Sequence, residues 1–342
     1  MEESLKLIQV LGNSFAKNDL ALLKEVGGVN GFKEKFANLI RSKDDTVSGF
    51  AATVLAIAGD LNYAPQIAAL LEKNEKASTD EDSYPTITAR GRAATALGLL
   101  GAKEFKQKIV PLLHSKNRYD RAGAAIALGY LGAREHAKDI VNLLLSKEFS
   151  FPDDDSPIYS LVQMGVAADY KKEIAQVLNE DFRSDTSKTA AYVLAHLRAK
   201  EYAKEIAKLL TKEFRKGDAA KALAIMGARE YAPNIALMLN DKSGLNRSDA
   251  LLALGVLNVR EYVPEVARHL NDKEGYVRHF AAVALVLMEA ADYAKEAIGI
   301  IEKDHQSGPY VSEGNFHELV IEDGRQINDR FKASMALLKL RN

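Results

Sequence analysis

The stretch LGAREHAKDIVNLLL, residues 131–145, recurs along the chain with few changes. It returns as LRAKEYAKEIAKLL at 197–210, as MGAREYAPNIALML at 226–239 and as LNVREYVPEVARHL at 257–270. The copies align on one position, here called the anchor. It is occupied by Phe32, Tyr63, Phe105, His136, Tyr170, Tyr202, Tyr231, Tyr262 and Tyr293. Most anchors are about 31 residues apart, which predicts a tandem array of small structural units.

Each unit carries an apolar pattern with the period of a helix. The residues four and eight positions after the anchor are apolar throughout, for example Ile140 and Leu144 after His136. This spacing places them on one helix face, so we predict that the anchor opens a helix, called helix B. A second repeated apolar position lies eight residues before the anchor in alanine-rich sequence, which predicts a preceding helix A. Its members are Leu55, Leu97, Leu128, Val162, Leu194, Leu223, Leu254 and Leu285.

The turn between the two helices often contains glycine, which can adopt the left-handed conformation that ends a helix. Examples are Gly59, Gly101, Gly132 and Gly227. A single two-helix unit cannot bury its apolar stripe, so neighbouring units must stack. The predicted fold is therefore all-α: a right-handed α-α superhelix, or α-solenoid, of about eight to nine helical hairpins with capping helices.

The repeated pattern A-A-x-A-L-G-x-L-G-A-[KR]-E-[YFH]-A resembles the short HEAT repeat, in particular the phycobiliprotein-lyase type of HEAT-like repeat. The resemblance covers roughly residues 30–302. It implies a superhelix whose concave face is lined by the second helix of each hairpin. Proteins of this group are mostly scaffolds and adaptors, and a minority handle tetrapyrroles.

The pattern predicts three segments. Residues 1–30 are expected to form N-terminal capping helices, residues 31–302 the repeat array, and residues 303–342 a non-repeat segment with a final capping helix. Two insertions, 72–86 and 147–159, interrupt the array and are expected to be surface loops. The final helix is predicted from about Arg325, after a short extended piece at Leu319–Ile321. Its apolar stripe comprises Ile327, Phe331, Met335 and Leu338.

Composition narrows the possible functions. The formal net charge is −1 and cysteine is absent, which disfavours a polyanion-binding protein and removes disulfides and thiolate chemistry. No apolar run is long enough to span a membrane, and the acidic start MEES is unlike a secretory signal. We expect a cytoplasmic protein.

Candidate chemistry is sparse. The nucleophile-elbow, phosphate-loop, HExxH and dinucleotide motifs are missing, so we expect no enzymatic activity and no cofactor. His136, His196 and His269 fall on different units and are read as packing histidines. The run Asp153–Asp155 lacks the alternating ligands and the glycine of a calcium loop, so no metal site is predicted.

Basic residues recur two positions and fifteen positions before the anchor. The first set is Lys103, Arg134, Lys200, Arg229 and Arg260, and the second is Arg90, Arg121, Lys216, Arg247 and Arg278. Such ladders could follow a phosphate backbone. Without aromatic side chains interleaved for base stacking, we interpret both sets as structural contacts between units.

The positions two, three, six and nine after the anchor are expected to face away from the core, on the concave surface. Their polar side chains, mixed in sign, favour a protein or peptide partner. The predicted partner-binding residues are Lys138, Lys172, Glu173, Lys204, Glu205, Lys208, Asn240, Arg268 and Asn271. The predicted function is a non-catalytic interaction scaffold or adaptor. A tetrapyrrole-handling, lyase-like protein and a nucleic-acid-binding solenoid remain as alternatives.

Overall fold

The computed structural model describes residues 33–73, 88–146, 156–179, 185–212, 216–307 and 321–341, and these ranges contain no strand. The predicted N-terminal capping segment, residues 1–30, lies outside them. Eighteen α-helices follow one another along the described chain. They are α1 Lys33–Leu39, α2 Asp45–Ile57, α3 Ala64–Ala68, α4 Ala89–Leu99, α5 Lys106–Ile109, α6 Arg118–Tyr130, α7 Ala137–Leu145, α8 Ser156–Gln163, α9 Lys171–Gln176, α10 Asp185–His196, α11 Ala203–Lys208, α12 Lys216–Met226, α13 Ala232–Leu237, α14 Gly244–Leu257, α15 Val263–Arg268, α16 Gly275–Leu287, α17 Ala294–Ser307 and α18 Ile321–Arg341.

The helices alternate as the repeat predicts. The even-numbered helices from α2 to α16 are A helices, and the odd-numbered helices from α3 to α17 are B helices. The short α1 occupies the B position of an earlier unit. The all-α, HEAT-like repeat fold is confirmed.

The chain forms two compact units. Unit 1 contains α1 to α8, and unit 2 contains α9 to α18. Within unit 1 the A helices α2, α4, α6 and α8 pack side by side in chain order. Within unit 2 the same holds for α10, α12, α14 and α16. Each unit therefore contains a layer of adjacent A helices together with B helices, and the boundary falls between α8 and α9.

The B segments are composite rather than uniform α-helices. In a representative hairpin, a 3₁₀ turn at Arg229–Tyr231 ends on the anchor, α13 follows, and a second 3₁₀ turn covers Met238–Asn240. 3₁₀ turns are common at helix ends, where the tighter winding satisfies backbone groups that an α-helix leaves free. The predicted B helix is thus present, but the anchor is the last residue of the 3₁₀ turn that precedes the α-helix.

The core positions predicted from the period are buried. The residues four after the anchor, from Ile67 to Val266, are fully buried, and those eight after it are at most 8% exposed. The residue eight before the anchor is also buried in every hairpin except the one that ends at Tyr170.

Val162, predicted as the core residue of α8, is 44% exposed, so this prediction is wrong. The buried residue is its neighbour Leu161, at 0%. The left-handed glycine of this turn, Gly165, lies five residues before Tyr170, whereas Gly132 lies four before His136. One extra residue in the turn therefore shifts the register of α8 relative to the anchor, and on a helix one residue moves a side chain to another face.

The turn from A to B uses a left-handed residue in every hairpin. Five of these residues are glycines with φ between +63° and +72°, including the four predicted ones. Arg198, Asn258 and Glu289 adopt the same conformation at φ of 51° to 53°. A side chain in this conformation is strained, so these three turns are held by the packing on either side.

Small residues let the A helices approach closely. A Cβ added to Gly98 would lie 2.5 Å from the Cα of Ala127, and one added to Gly255 would lie 2.8 Å from the Cα of Ala284. Such distances leave no room for a larger side chain. The alanine-rich A helices therefore form the tightly packed layer within each unit.

The two predicted loops are described only in part. Residues 74–87 and 147–155 lie outside the described ranges. Ser156 to Tyr159, predicted as loop, instead form the first turn of α8, with Ile158 fully buried. Pro157 sits in the first turn, where its missing N–H costs no hydrogen bond and its fixed φ suits a helix.

The C-terminal helix starts earlier than predicted. It begins at Ile321, which the sequence placed in an extended piece, while Leu319 lies outside the described residues. The helix α18 packs on α16 and α17, with Leu338 fully buried, and Phe331 and Met335 are half-buried. The side chain of Ile327 is not among those described. Arg330 donates hydrogen bonds to the carbonyls of Gly255 (2.8 Å) and Val256 (3.0 Å), at the C-terminal end of α14.

Candidate functional site

The candidate site is the solvent-facing side of the B segments in unit 2, called here the helix-B face. Because the residues four and eight after each anchor are buried, the residues two, three, six and nine after it point away from the core. The face is defined by Lys172, Glu173, Lys204, Glu205, Lys208, Leu237, Asn240, Glu265, Arg268 and Asn271. Lys138, the remaining predicted partner-binding residue, is also exposed but belongs to unit 1.

The polar residues of the face differ in depth. The basic residues Lys172, Lys204, Lys208 and Arg268 are exposed, as are Asn240 and Asn271. The glutamates, three positions after the anchor, are half-buried. In Glu205 and Glu265 one carboxylate oxygen, Oε2, is buried without a hydrogen-bond partner. The cations are therefore the outermost charged groups of the face, and its carboxylates lie closer to the core.

The exposed cations of the face form no ion pair with any residue that the structure describes. Lys172, Lys204, Lys208 and Arg268 differ in this from the basic residues of unit 2 that pair with another hairpin. Lys171, one residue before the first of them, binds Glu201 of the next hairpin at 2.7 Å, for example. The side-chain amides of Asn240 and Asn271 likewise have no hydrogen-bond partner within the described ranges.

Leu237 lies in the middle of this polar surface with 74% of its side chain exposed. It is six residues after the anchor Tyr231, the same position that Lys208 and Arg268 occupy in the preceding and following hairpins. The residue four after the anchor, Ile235, fills the core instead. Sequence reasoning missed Leu237 because it considered only polar residues of the face, although its register already marked it as exposed.

Three residues of the basic ladder two positions before the anchor make structural contacts, whereas Lys103 and Lys200 are exposed and have no side-chain partner in the described ranges. Arg134 Nε donates to the carbonyl of Met164 at 2.9 Å, in the A–B turn of the next hairpin. Arg229 makes the corresponding hydrogen bond to the carbonyl of Asn258, and Arg260 pairs with Glu289 at 2.9 Å. These three side chains therefore tie their own hairpins to the following turn.

The ladder fifteen positions before the anchor is structural too. Arg121 and Arg278 donate to link carbonyls, at 2.7 Å to Ser115 and 2.8 Å to Asp272, and Lys216 pairs with Asp241. Arg90 lies 3.3 Å from the buried carboxylate of Asp120. The donors of this second ladder are directed at the protein itself, so it does not form a free basic track.

Arg247 makes the most complete contact of this ladder. Its guanidinium donates two hydrogen bonds to Asp272, at 2.8 Å and 2.7 Å, and a third to the carbonyl of Asp241. Burial raises the pKa of Asp272, but the hydrogen bonds from Arg247, from the backbone N–H of Glu274 and from His269 outweigh it and lower the pKa to about 2. This pair connects α14 to the link before α16.

The histidines do not form a metal site. His136 Nδ1 lies 3.2 Å from Asp139, and His269 Nδ1 lies 3.3 Å from Asp272 three residues on, while His196 is half-buried at the end of α10. Across the ranges that the structure covers, no group of three or more histidine or carboxylate side chains could hold a metal ion. None of the helices in those ranges combines the length and apolarity required to cross a membrane.

No protein-family model matches the sequence. No curated protein matches it either.

Several solved structures are similar to this chain. A protein in the complex of CpcE and CpcF of phycocyanin lyase from Nostoc sp. is 20% identical, with 79% of this chain and 94% of that chain covered and a TM-score of 0.37. An engineered protein is 18% identical over 99% of this chain and 94% of its own, with a TM-score of 0.44. Human deoxyhypusine hydroxylase is 16% identical over 78% of this chain and 99% of its own, with a TM-score of 0.31. At TM-scores this low, these similarities support no conclusion beyond a fold of HEAT-like helical repeats.

Proposed function

We propose that this chain is a non-catalytic scaffold that holds a protein partner on the helix-B face of unit 2. The observation that carries the proposal is the group of exposed cations without ion pairs in the described ranges at two repeated positions of the B helices, two and six residues after the anchor. Elsewhere in unit 2, repeated basic residues such as Arg247 and Lys216 are consumed by contacts between hairpins. Charges left free on a surface are available for complementary contacts with a partner.

The composition of the face supports a protein partner rather than nucleic acid. Exposed lysine and arginine alternate with asparagine, proline and leucine, and half-buried glutamates lie among them. A phosphate backbone would favour an uninterrupted basic track, whereas protein interfaces combine an apolar centre with polar surroundings. Most residues of the two basic ladders that could have formed such a track, such as Arg134 and Arg278, direct their donors at other groups of the protein.

Charge reversal tests the proposal. The triple variant Lys172→Glu, Lys204→Glu, Lys208→Glu removes three cations from the face without touching the core, so it is expected to fold. Immobilised wild-type protein and variant are incubated with extract from the source cells, and bound proteins are identified by mass spectrometry. We expect a partner that wild-type protein retains and the variant loses, with cross-links from the partner to the B helices of unit 2.

The matched control reverses three other exposed lysines of unit 2: Lys242→Glu, Lys273→Glu, Lys332→Glu. It changes the net charge equally and leaves the helix-B face intact. The control should retain the partner. Equal recovery by all three proteins, or equal loss in both variants, would refute binding at this face.

A further inference from the structure

The strongest unassigned feature is the row formed by Lys208, Leu237 and Arg268, called here the Leu237 row. All three residues lie six positions after their anchors, at the ends of α11, α13 and α15. Successive hairpins of unit 2 are neighbours, since α10, α12, α14 and α16 pack in order. Packed helices lie about 8–10 Å apart, so we take equivalent positions of neighbouring hairpins to be about 10 Å apart. The row thus presents cation, leucine and cation at roughly equal intervals.

We infer that the Leu237 row binds an extended acidic segment of a partner protein, with an apolar residue on Leu237 and a carboxylate on each flanking cation. An extended segment in the polyproline II conformation advances about 3.1 Å per residue with three residues per turn, so side chains three residues apart point the same way at intervals of about 9–10 Å. The recognised pattern is therefore an acidic residue, two spacers, an apolar residue, two spacers and a second acidic residue. This inference rests on the proposed function and specifies its partner.

Charge favours an acidic occupant. Lys208 and Arg268 are exposed and have no ion-pair partner in the described ranges, and Lys204 adds a third exposed cation on α11. The nearby carboxylates of Glu205 and Glu265 are half-buried, each with one oxygen removed from solvent. An approaching segment would thus meet the cations first, as electrostatic complementarity requires.

The Leu237 side chain supplies an apolar contact. It is 74% exposed, and Pro233, two residues after the anchor in the same helix, is exposed as well. Pro264 occupies the equivalent position in α15 and is also exposed. A partner's apolar side chain laid on Leu237 would remove both from water, which contributes most of the affinity of a small contact.

Asparagines lie beside the row in a position to contact the backbone of an extended segment. Asn240 and Asn271 are one helical turn beyond Leu237 and Arg268, both exposed and without a hydrogen-bond partner among the described residues. An amide side chain both donates and accepts, so it can pair with either group of a peptide backbone. An extended backbone needs such partners because it forms no internal hydrogen bonds.

Peptide binding to the full chain tests the inference. The probe is a fluorescently labelled peptide, SETSLTSES, in which glutamates stand three positions on either side of leucine. The controls are SEETSLTSS, which has the same composition in another order, and SKTSLTSKS, in which both acids become lysines. Fluorescence anisotropy at low salt should show binding of the first peptide at least fivefold tighter than either control.

Substitutions in the Leu237 row test whether its side chains contact the peptide. Leu237→Ala should weaken binding of SETSLTSES about tenfold. The double variant Lys208→Ala, Arg268→Ala should weaken it about threefold to tenfold, and its affinity should depend less on salt concentration than that of the wild-type protein. Leu245→Ala is the matched control, because Leu245 is also a mostly exposed leucine of unit 2, at 66%, but lies on the A helix α14. It should leave affinity unchanged. Circular dichroism of all variants should be unaltered, since these side chains lie outside the core.

Some results would overturn the inference while leaving the proposed function standing. One is capture of a partner that the triple lysine reversal abolishes but Leu237→Ala does not affect. Tighter binding of the lysine peptide, or equal binding of all three peptides, would also refute an acidic occupant. Retention of single-stranded DNA that does not depend on Leu237 would point to nucleic acid instead.

Discussion

At the scale of single residues, position within the repeat decides what a charged side chain does. Arg247 and Arg268 are both arginines of unit 2, yet the first is enclosed by carbonyls and Asp272, whereas the second faces solvent. The first begins an A helix next to the link between hairpins, where unsatisfied carbonyls collect. The second lies on the outward side of a B helix. The two residues are of the same type, but they have different neighbouring groups.

Asp272 carries a prediction about pH. Its pKa is about 2 in the folded protein against 3.8 for an ordinary aspartate, and its side chain is 9% exposed. A folded-state pKa below the unfolded value means that the stabilisation is present above about pH 4 and is lost as the pH falls towards 2. The difference corresponds to about 2 kcal/mol. Asp272→Asn should therefore lower the free energy of unfolding by about that amount at pH 7.

Urea unfolding of wild-type protein and variant at several pH values measures the effect. The difference between the two should shrink by about half between pH 7 and pH 3, because the wild-type carboxylate loses its advantage there. Glu230→Gln provides the control, since Glu230 is exposed and forms no ion pair with a described residue. It should show little effect at any pH. A difference for Asp272→Asn that is constant with pH would contradict the assignment.

At the scale of elements, the A–B turn depends on backbone conformation more than on contacts. Gly227 has a φ of +72°, and a Cβ placed there would meet no atom within 4 Å. Gly227→Ala should therefore destabilise the protein by about 1–2 kcal/mol through conformational strain alone. Thermal unfolding followed by circular dichroism provides the measurement.

Gly299→Ala makes the same change at a helical position and serves as the comparison for Gly227→Ala. Gly299 lies within the helix α17, is exposed and has equally open surroundings. Alanine there should raise the free energy of unfolding by about 0.5–1 kcal/mol, since it restricts the unfolded chain and favours helix. Shifts of the same sign for the two substitutions would contradict a conformational explanation for Gly227.

The elements also show where the sequence pattern was incomplete. The period of about 31 residues located every A and B helix in the described ranges, because the anchor and the apolar residues around it recur in each hairpin. It misplaced the core residue of α8, because an inserted turn residue changes the register without changing the apolar composition. Leu161 and Val162 are adjacent and both apolar, so only packing against the neighbouring A helix distinguishes them.

At the scale of the whole molecule, stability is expected to be shared between neighbouring hairpins. Leu254 is fully buried in α14, and Leu254→Ala should cost about 2–5 kcal/mol. Because each hairpin packs mainly on its neighbours, hydrogen exchange should accelerate in α12 to α16 and remain unchanged in α4 and α6 of unit 1. Mass spectrometry of deuterium uptake resolves these segments. Uniform acceleration along the chain would show a single cooperative unit instead.

The candidate site was only partly predictable from the sequence. Register identified the exposed positions of the B helices, including Lys204 and Lys208, because a helical period separates buried from exposed faces. It did not reveal that the glutamates three positions after the anchor are half-buried. Nor did it reveal which cations are left unpaired, since pairing depends on side chains in adjacent hairpins that are about 30 residues away.

The sequence by itself determined the repeat, the alternation of A and B helices and, except in α8, the side of each helix that faces the core. These properties are local, because they follow from apolar spacing and from glycine at the turn. The tertiary structure decided the register of α8, the helical first turn at Ser156, and the division of the arginines into enclosed and free. It also set Leu237 between two exposed cations. Such features depend on distances between hairpins, which only packing establishes.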